Sequence, residues 1–105
     1  MLSGVSVYYL CDPRTGEIRY VGYSKNLRAR YQAHCSLTNL RKRSHVANWI
    51  ASCKKETGRL PQLITTEVVE TVREAKAIEI ATIALLTNYG ARLTNATSGG
   101  DGVVD

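Results

Sequence analysis

One acid stands where an acid is least expected. From about Val72 to Asn88 the chain is rich in Ala, Ile and Leu. On a wheel of about 3.6 residues per turn, Val72, Ala75, Ile83 and Leu86 form the centre of an apolar arc. Glu79 falls inside that arc, one turn after Ala75 and one turn before Ile83. Burying a lone carboxylate is costly unless it meets a cation or a metal. Glu79 therefore reads as a ligand, or as an acid that snorkels or pairs with arginine at the edge of the arc; its position favours the ligand. Glu70 and Glu74 are ordinary by comparison: a strand end and a helix start are where solvated or dipole-favoured acids belong.

A second group carries cationic and phenolic chemistry. Arg30 and His34 are four residues apart, so they project from one helix face, shared with the apolar Leu27 and Tyr31. An arginine there either snorkels or aims at an anion in a cleft. Tyr8 and Tyr20 lie on adjacent strands. They share a face only if the hairpin register has the right parity, a shift that a bulge at Gly16 could supply. Six residues are Tyr, one is Trp and none is Phe, and five of the tyrosines fall within the first 31 positions, beside the basic stretch. Tyrosine on a strand is usually packing, but here the hydroxyls also offer hydrogen bonds and the rings stacking surfaces.

The remaining inventory narrows the chemistry. Nine Asp and Glu residues are too few and too scattered for a two-metal site built from three or four carboxylates. One carboxylate with one hydrated Mg²⁺ is compatible. Gly99-Gly100-Asp101-Gly102 follows no strand and carries no Lys-Ser/Thr, so it is weak as a phosphate-cradling loop. Cys11, Cys35 and Cys53 contain no close pair, which fits free thiols in a reducing cytosol. The start Met-Leu-Ser-Gly-Val has no basic, apolar export pattern, and no apolar run approaches the roughly 18 residues of a membrane helix. The expected setting is cytoplasmic, bacterial or phage-like, with no membrane partner.

The elements that must position these groups are readable. Val5–Cys11 and Ile18–Tyr23 read as strands joined by the turn chemistry of Asp12-Pro13-Arg14-Thr15-Gly16. A helix begins near Ser24 or Asn26. A second starts after Thr38 or Asn39, with the stripe Val46, Trp49, Ile50 and Cys53, and stops at Gly58. Leu63–Glu70 is a third strand, and Val72–Asn88 a third helix, stopped near Gly90. From Leu93 on, the chain reads as a loop too small and polar to pack much. The order β-β-α-α-β-α implies an α+β fold: a three-stranded, mainly antiparallel sheet flanked by about three helices. Residues 1–95 form the domain, and 96–105 a Gly-rich polar tail or the start of a linker.

Charge is segregated along these elements. Residues 18–55 carry Arg19, Lys25, Arg28, Arg30, Arg41, Lys42, Arg43, Lys54 and Lys55 and no acid, within a chain of net charge +5. A one-signed field of this kind is the footprint of a polyanion partner.

Taken in order, the constellation resembles the GIY-YIG nuclease superfamily over nearly the whole chain. Ser6-Val7-Tyr8 stands for its first motif and Tyr20-Val21-Gly22 for its second. The run from Tyr20 to Tyr31, followed by His34, looks like its helix with Arg and His. Glu79 falls where the family keeps a metal-binding Glu, and Leu93-Thr94-Asn95 followed by Gly99-Gly100 looks like its closing Asn motif. Ser6 departs from the Gly of the family name, which should alter strand packing more than chemistry.

The resemblance implies hydrolysis of DNA phosphodiesters, with DNA double-stranded, by a single-metal mechanism. By analogy Glu79 holds one Mg²⁺ or Mn²⁺, and Arg30 contacts the scissile phosphate. Tyr8 and Tyr20 orient or deprotonate the attacking water with His34 assisting, and Asn95 holds the site together. Tyr8 is the favoured base, with Tyr20 and His34 as alternatives. A phenol, of reference pKa about 10, needs neighbouring positive charge for that task. Arg19, Lys25, Arg28, Arg41, Lys42 and Arg43 are expected to bind nucleic acid. Family members usually take target specificity from added segments, so this chain either cuts with low specificity or works with a further DNA-binding domain. The competing readings are a catalytically inactive nucleic-acid-binding module, which has no need of Glu79, and a basic structural protein of a ribosome-like assembly.

Overall fold

A computed structural model describes residues 4–36 and 44–95. Its elements follow the expected order: strands β1 (Val5–Cys11) and β2 (Ile18–Ser24), helices α1 (Leu27–Cys35) and α2 (His45–Thr57), strand β3 (Gln62–Val69) and helix α3 (Val72–Asn88). The three strands form one antiparallel sheet in the order β2-β1-β3, so the strand bearing Tyr8 is central.

Local chemistry sets the boundaries. The Asn26 side chain accepts from the Ala29 N–H and starts α1. Ser44 does the same for α2, which Gly58 ends in the left-handed region at φ 75°. The expected start of this helix after Thr38 or Asn39 lies outside the described residues. Thr71 and Glu74 form a reciprocal capping box at the head of α3, which is why Glu74 is spent on the fold.

Period-two alternation divides the sheet into two faces. Val5, Val7 and Val21 face α3 and pack with Ala75 and Ile83. Tyr8 and Leu10 face the other way and pack with Trp49, Ile50 and Cys53 of α2, joined by Tyr20, Leu27 and Tyr31. Two one-residue bulges adjust this pattern. Near the turn Cys11 pairs with Ile18, but beyond it Leu10 pairs with Tyr20 and Tyr8 with Gly22. Without the extra residue, Arg19, Tyr20 would lie across from Tyr9 and point to the opposite face from Tyr8. The parity shift that unites the two tyrosines therefore sits at Arg19; Gly16 merely supplies the left-handed turn residue (φ 79°). The second bulge, at Thr66 of β3, falls between Val7 and Tyr8, and the Thr66 hydroxyl donates to the Val7 carbonyl oxygen at 3.2 Å.

At the turn end, Asp12 is a buried anchor, 3% exposed. Its Oδ1 accepts from the Arg14 backbone N–H (2.8 Å) and Nε (2.9 Å), and its Oδ2 from Arg14 Nη2 (2.8 Å) and Trp49 Nε1 (3.1 Å). Arg14 continues to Glu56 at 2.6 Å. The Arg14 hydrogen bonds outweigh the desolvation and hold the Asp12 carboxyl well below the usual carboxylate range.

The segment after α3 packs more than its composition suggests. Leu93 joins the α3 side of the core. Thr94 is buried, and both its N–H and hydroxyl donate to the Arg19 carbonyl oxygen, at 2.6 and 2.8 Å. Asn95 closes the outer edge of β2: its Oδ1 accepts from the Val21 N–H at 3.1 Å and its Nδ2 donates to the Val21 carbonyl at 2.8 Å.

Candidate active site

Four of the expected side chains meet on the α1 side of the sheet. Tyr8, fully buried, places its hydroxyl 2.9 Å from His34 Nε2. The Tyr20 ring lies edge-on to His34 at 5.1 Å between centroids and tilted to Tyr8 at 6.2 Å. Tyr20 is half-buried, so of the two phenols it is the one that meets solvent. Arg30 stays largely exposed at residue level, with its guanidinium close enough to both phenols to feel them. Burial works against that charge, but the two phenols hold it above its ordinary value.

Glu79 is 9% exposed, on the buried stripe of α3 between Ala75 and Ile83, as the helical arc required. Its carboxylate is near enough to act on Tyr8. Burial first, then the Tyr20 phenol and the Glu79 charge, push the Tyr8 phenol above its ordinary value, outweighing the pull of Arg30. His34 moves the other way. Burial, helped by the Arg30 charge, lowers it to about 4, so its ring is neutral at pH 7.

Gly22 makes the cluster sterically feasible. A Cβ there would stand 2.7 Å from the Tyr8 hydroxyl and 2.9 Å from Cε2 of Tyr20. The sequence motif alone assigns this glycine no role. A glycine inside a strand is the available signal, because it marks close approach by another group. Asn95 sits one strand residue from both Tyr20 and Gly22, where its amide fixes the Val21 backbone.

A family model for the GIY-YIG catalytic domain matches residues 5–90. The chain belongs to the GIY-YIG family. No curated protein and no solved structure matches it. The resemblance read from the motifs thus holds at the level of family and fold, and with it membership in a nuclease superfamily that acts on nucleic acid.

GIY-YIG nucleases are generally divalent-metal dependent, and the donor set of this domain can be tested against that. Among the described residues no group of three His, Cys, Asp or Glu side chains is placed to cage a metal. Glu79 by itself fits a hard cation that keeps most of its waters and takes one or two carboxylates plus phosphate oxygens, and does not fit a tetrahedral zinc cage. Among the described residues no helix is long and apolar enough to cross a membrane.

The expected nucleic-acid contacts divide. Lys25 and Arg28 are exposed at the head of α1, next to Arg30. Arg19 lies at the other end of β2, its guanidinium 5.5 Å from the centroid of Trp49. Arg41, Lys42 and Arg43 lie outside the described residues.

Proposed function

We propose that this GIY-YIG domain is a divalent-metal-dependent endonuclease that hydrolyses phosphodiester bonds of double-stranded DNA with one Mg²⁺ or Mn²⁺ ion. The observation that carries the proposal is geometric: the Tyr8 hydroxyl lies 2.9 Å from His34 Nε2, the Tyr20 ring packs edge-on to that imidazole at 5.1 Å, and α3 buries the single acid Glu79. A buried acid for the counter-ion and a guanidinium for the phosphodiester are the two charges that reaction needs. Glu79 would hold the ion. When bound, that ion neutralises charge on the leaving oxygen.

The residues of the chain supply positioning and proton transfer. Arg30 offers a planar fork to the scissile phosphate and stabilises charge that grows in the transition state. Tyr20, the solvent-facing phenol, orients the attacking water. The proton of that water passes inward through the Tyr8 hydroxyl, which hands its own proton to His34 Nε2. This relay suits a site that disfavours phenolate, because Tyr8 gives up one proton as it takes another. Neutral His34 takes that proton at Nε2, and the negative phosphate raises its basicity as the substrate enters. Asn95 keeps the β2 backbone, and hence Tyr20, in place.

A plasmid-nicking assay with Mg²⁺ tests the reading. The parent should cut, and Glu79→Ala should lose at least about 10³-fold in rate while binding DNA as tightly as the parent or more tightly. Equal cutting by both proteins, or none by the parent with any divalent ion, would instead favour a binding module.

A further inference from the structure

A groove of about 500 Å³ lies at the turn end of β2, lined among others by Arg14, Arg19, His45, Asn48 and Thr94. Among the described residues no carboxylate lines it. Arg14 is committed, its three nitrogens bonded to Asp12, Glu56 and Ser52. Arg19 is held differently. Its Nε donates to the Arg92 carbonyl oxygen and its Cζ lies over the Trp49 ring, and among the described residues its two terminal nitrogens make no hydrogen bond. The guanidinium is thus locked in place with its bidentate end unspent. On the facing wall His45 and Asn48, three residues apart on α2, share a helix face. Both are exposed, and among the described residues neither side chain has a hydrogen-bond partner.

We infer that this groove holds the DNA sugar-phosphate backbone flanking the scissile bond, with Arg19 gripping one phosphate and His45 and Asn48 donating to it from α2. The inference rests on the nuclease reading for its substrate and extends it by assigning the path the strand takes. Arg19 directly precedes Tyr20 in β2, and the bulge that turns Tyr20 inward makes Arg19 the extra residue of the pair. A strand rises about 3.3 Å per residue, and successive phosphates of one DNA strand advance about 3.4 Å along the axis. Arg19 and Tyr20 thus leave β2 about one phosphate step apart. A contact of this kind fixes register and carries no sequence preference.

The test measures DNA binding and cutting for His45→Glu, Asn48→Asp and Arg19→Gln, with Lys76→Gln on the exposed side of α3 as a control for net charge. A Glu in the first turn of α2 favours the helix, so His45→Glu should keep or raise Tm. It should nonetheless weaken DNA binding about tenfold, as should Asn48→Asp. Arg19→Gln should flatten the log–log salt dependence by about 1. Lys76→Gln should bind within about twofold of the parent. Parent-like binding by both α2 variants, or equal weakening by Lys76→Gln, overturns the groove. A parent that never cuts but binds with this same dependence removes the nuclease reading and leaves the groove standing.

Discussion

Two polar clusters sit against the same apolar wall of Tyr8, Leu10, Trp49, Ile50 and Cys53, and they are built to opposite ends. At the turn end, Asp12 is buried with four donors on its two oxygens, and Arg14 spends its whole guanidinium on carboxylates and a hydroxyl. That cluster is closed. At the Gly22 end, a fully buried phenol meets a buried neutral histidine, a half-buried phenol faces outward, and a guanidinium reaches in from the surface. That cluster is open on one side. Closed networks resist removal of any partner because the rest are left desolvated. Open ones hold their groups away from their ordinary protonation behaviour so that a substrate can complete them.

Single substitutions should separate the two, and the largest effect belongs to the open cluster. Tyr8→Phe removes only an oxygen. The nicking rate should fall by about 10²- to 10⁴-fold, the usual range for a lost proton-transfer group. Thermal stability should stay within about 1 kcal/mol, the net worth of one hydrogen bond. Unchanged nicking would mean that Tyr8 only packs.

Asp12→Ala should do the reverse. It strands Arg14 and the Trp49 indole N–H. Breaking a buried pair costs up to about 5 kcal/mol, and because Arg14 is partly exposed about 3 kcal/mol is expected here. At about 4–8 °C per kcal/mol, Tm should drop by 10 °C or more. Below that Tm, the cutting rate per folded molecule should match the parent. A variant with parental Tm would show the closed network to be dispensable.

The smallest effect is a pH dependence with two separable windows. The folded pKa of His34, about 4, lies below its ordinary 6.5. The unfolded chain therefore takes up this proton first, and stability falls as pH drops from about 6.5 toward 4. The carboxyl of Asp12 is likewise depressed. Its contribution is present above its ordinary value near 4 and is lost as pH falls below that. Stability curves for His34→Gln and for Asp12→Asn should each lose one window and keep the other. A parent whose stability is flat between pH 6.5 and 4 would contradict the buried, neutral histidine.

What the sequence revealed follows from the range of the interactions involved. Helix caps, the αL glycine at position 58 and the placement of Glu79 on α3 are set by residues within two turns of each other, so they were legible, down to the stop of α3 at Asn88. The union of Tyr8 and Tyr20 was foreseen as a question of parity. Its answer lay in a bulge at Arg19 rather than at Gly16, and the contacts of Arg19 are with Trp49 and Thr94, which lie far along the chain. Asp12 looked like turn chemistry because its local half is turn chemistry; its partner Trp49 is 37 residues away. Thr94 and Asn95 looked too polar to pack, yet they satisfy a strand edge, where polar groups are what packing requires.

The Asn95 amide imitates one residue of a missing fourth strand on β2, reaching back 74 positions to do so. Ribosomes deliver chains from the N-terminus. Both phenols, the guanidinium and the imidazole therefore leave the exit tunnel long before the group that steadies their strand. In the proposed nuclease the strand that carries Tyr20 would be steadied only once residue 95 has emerged.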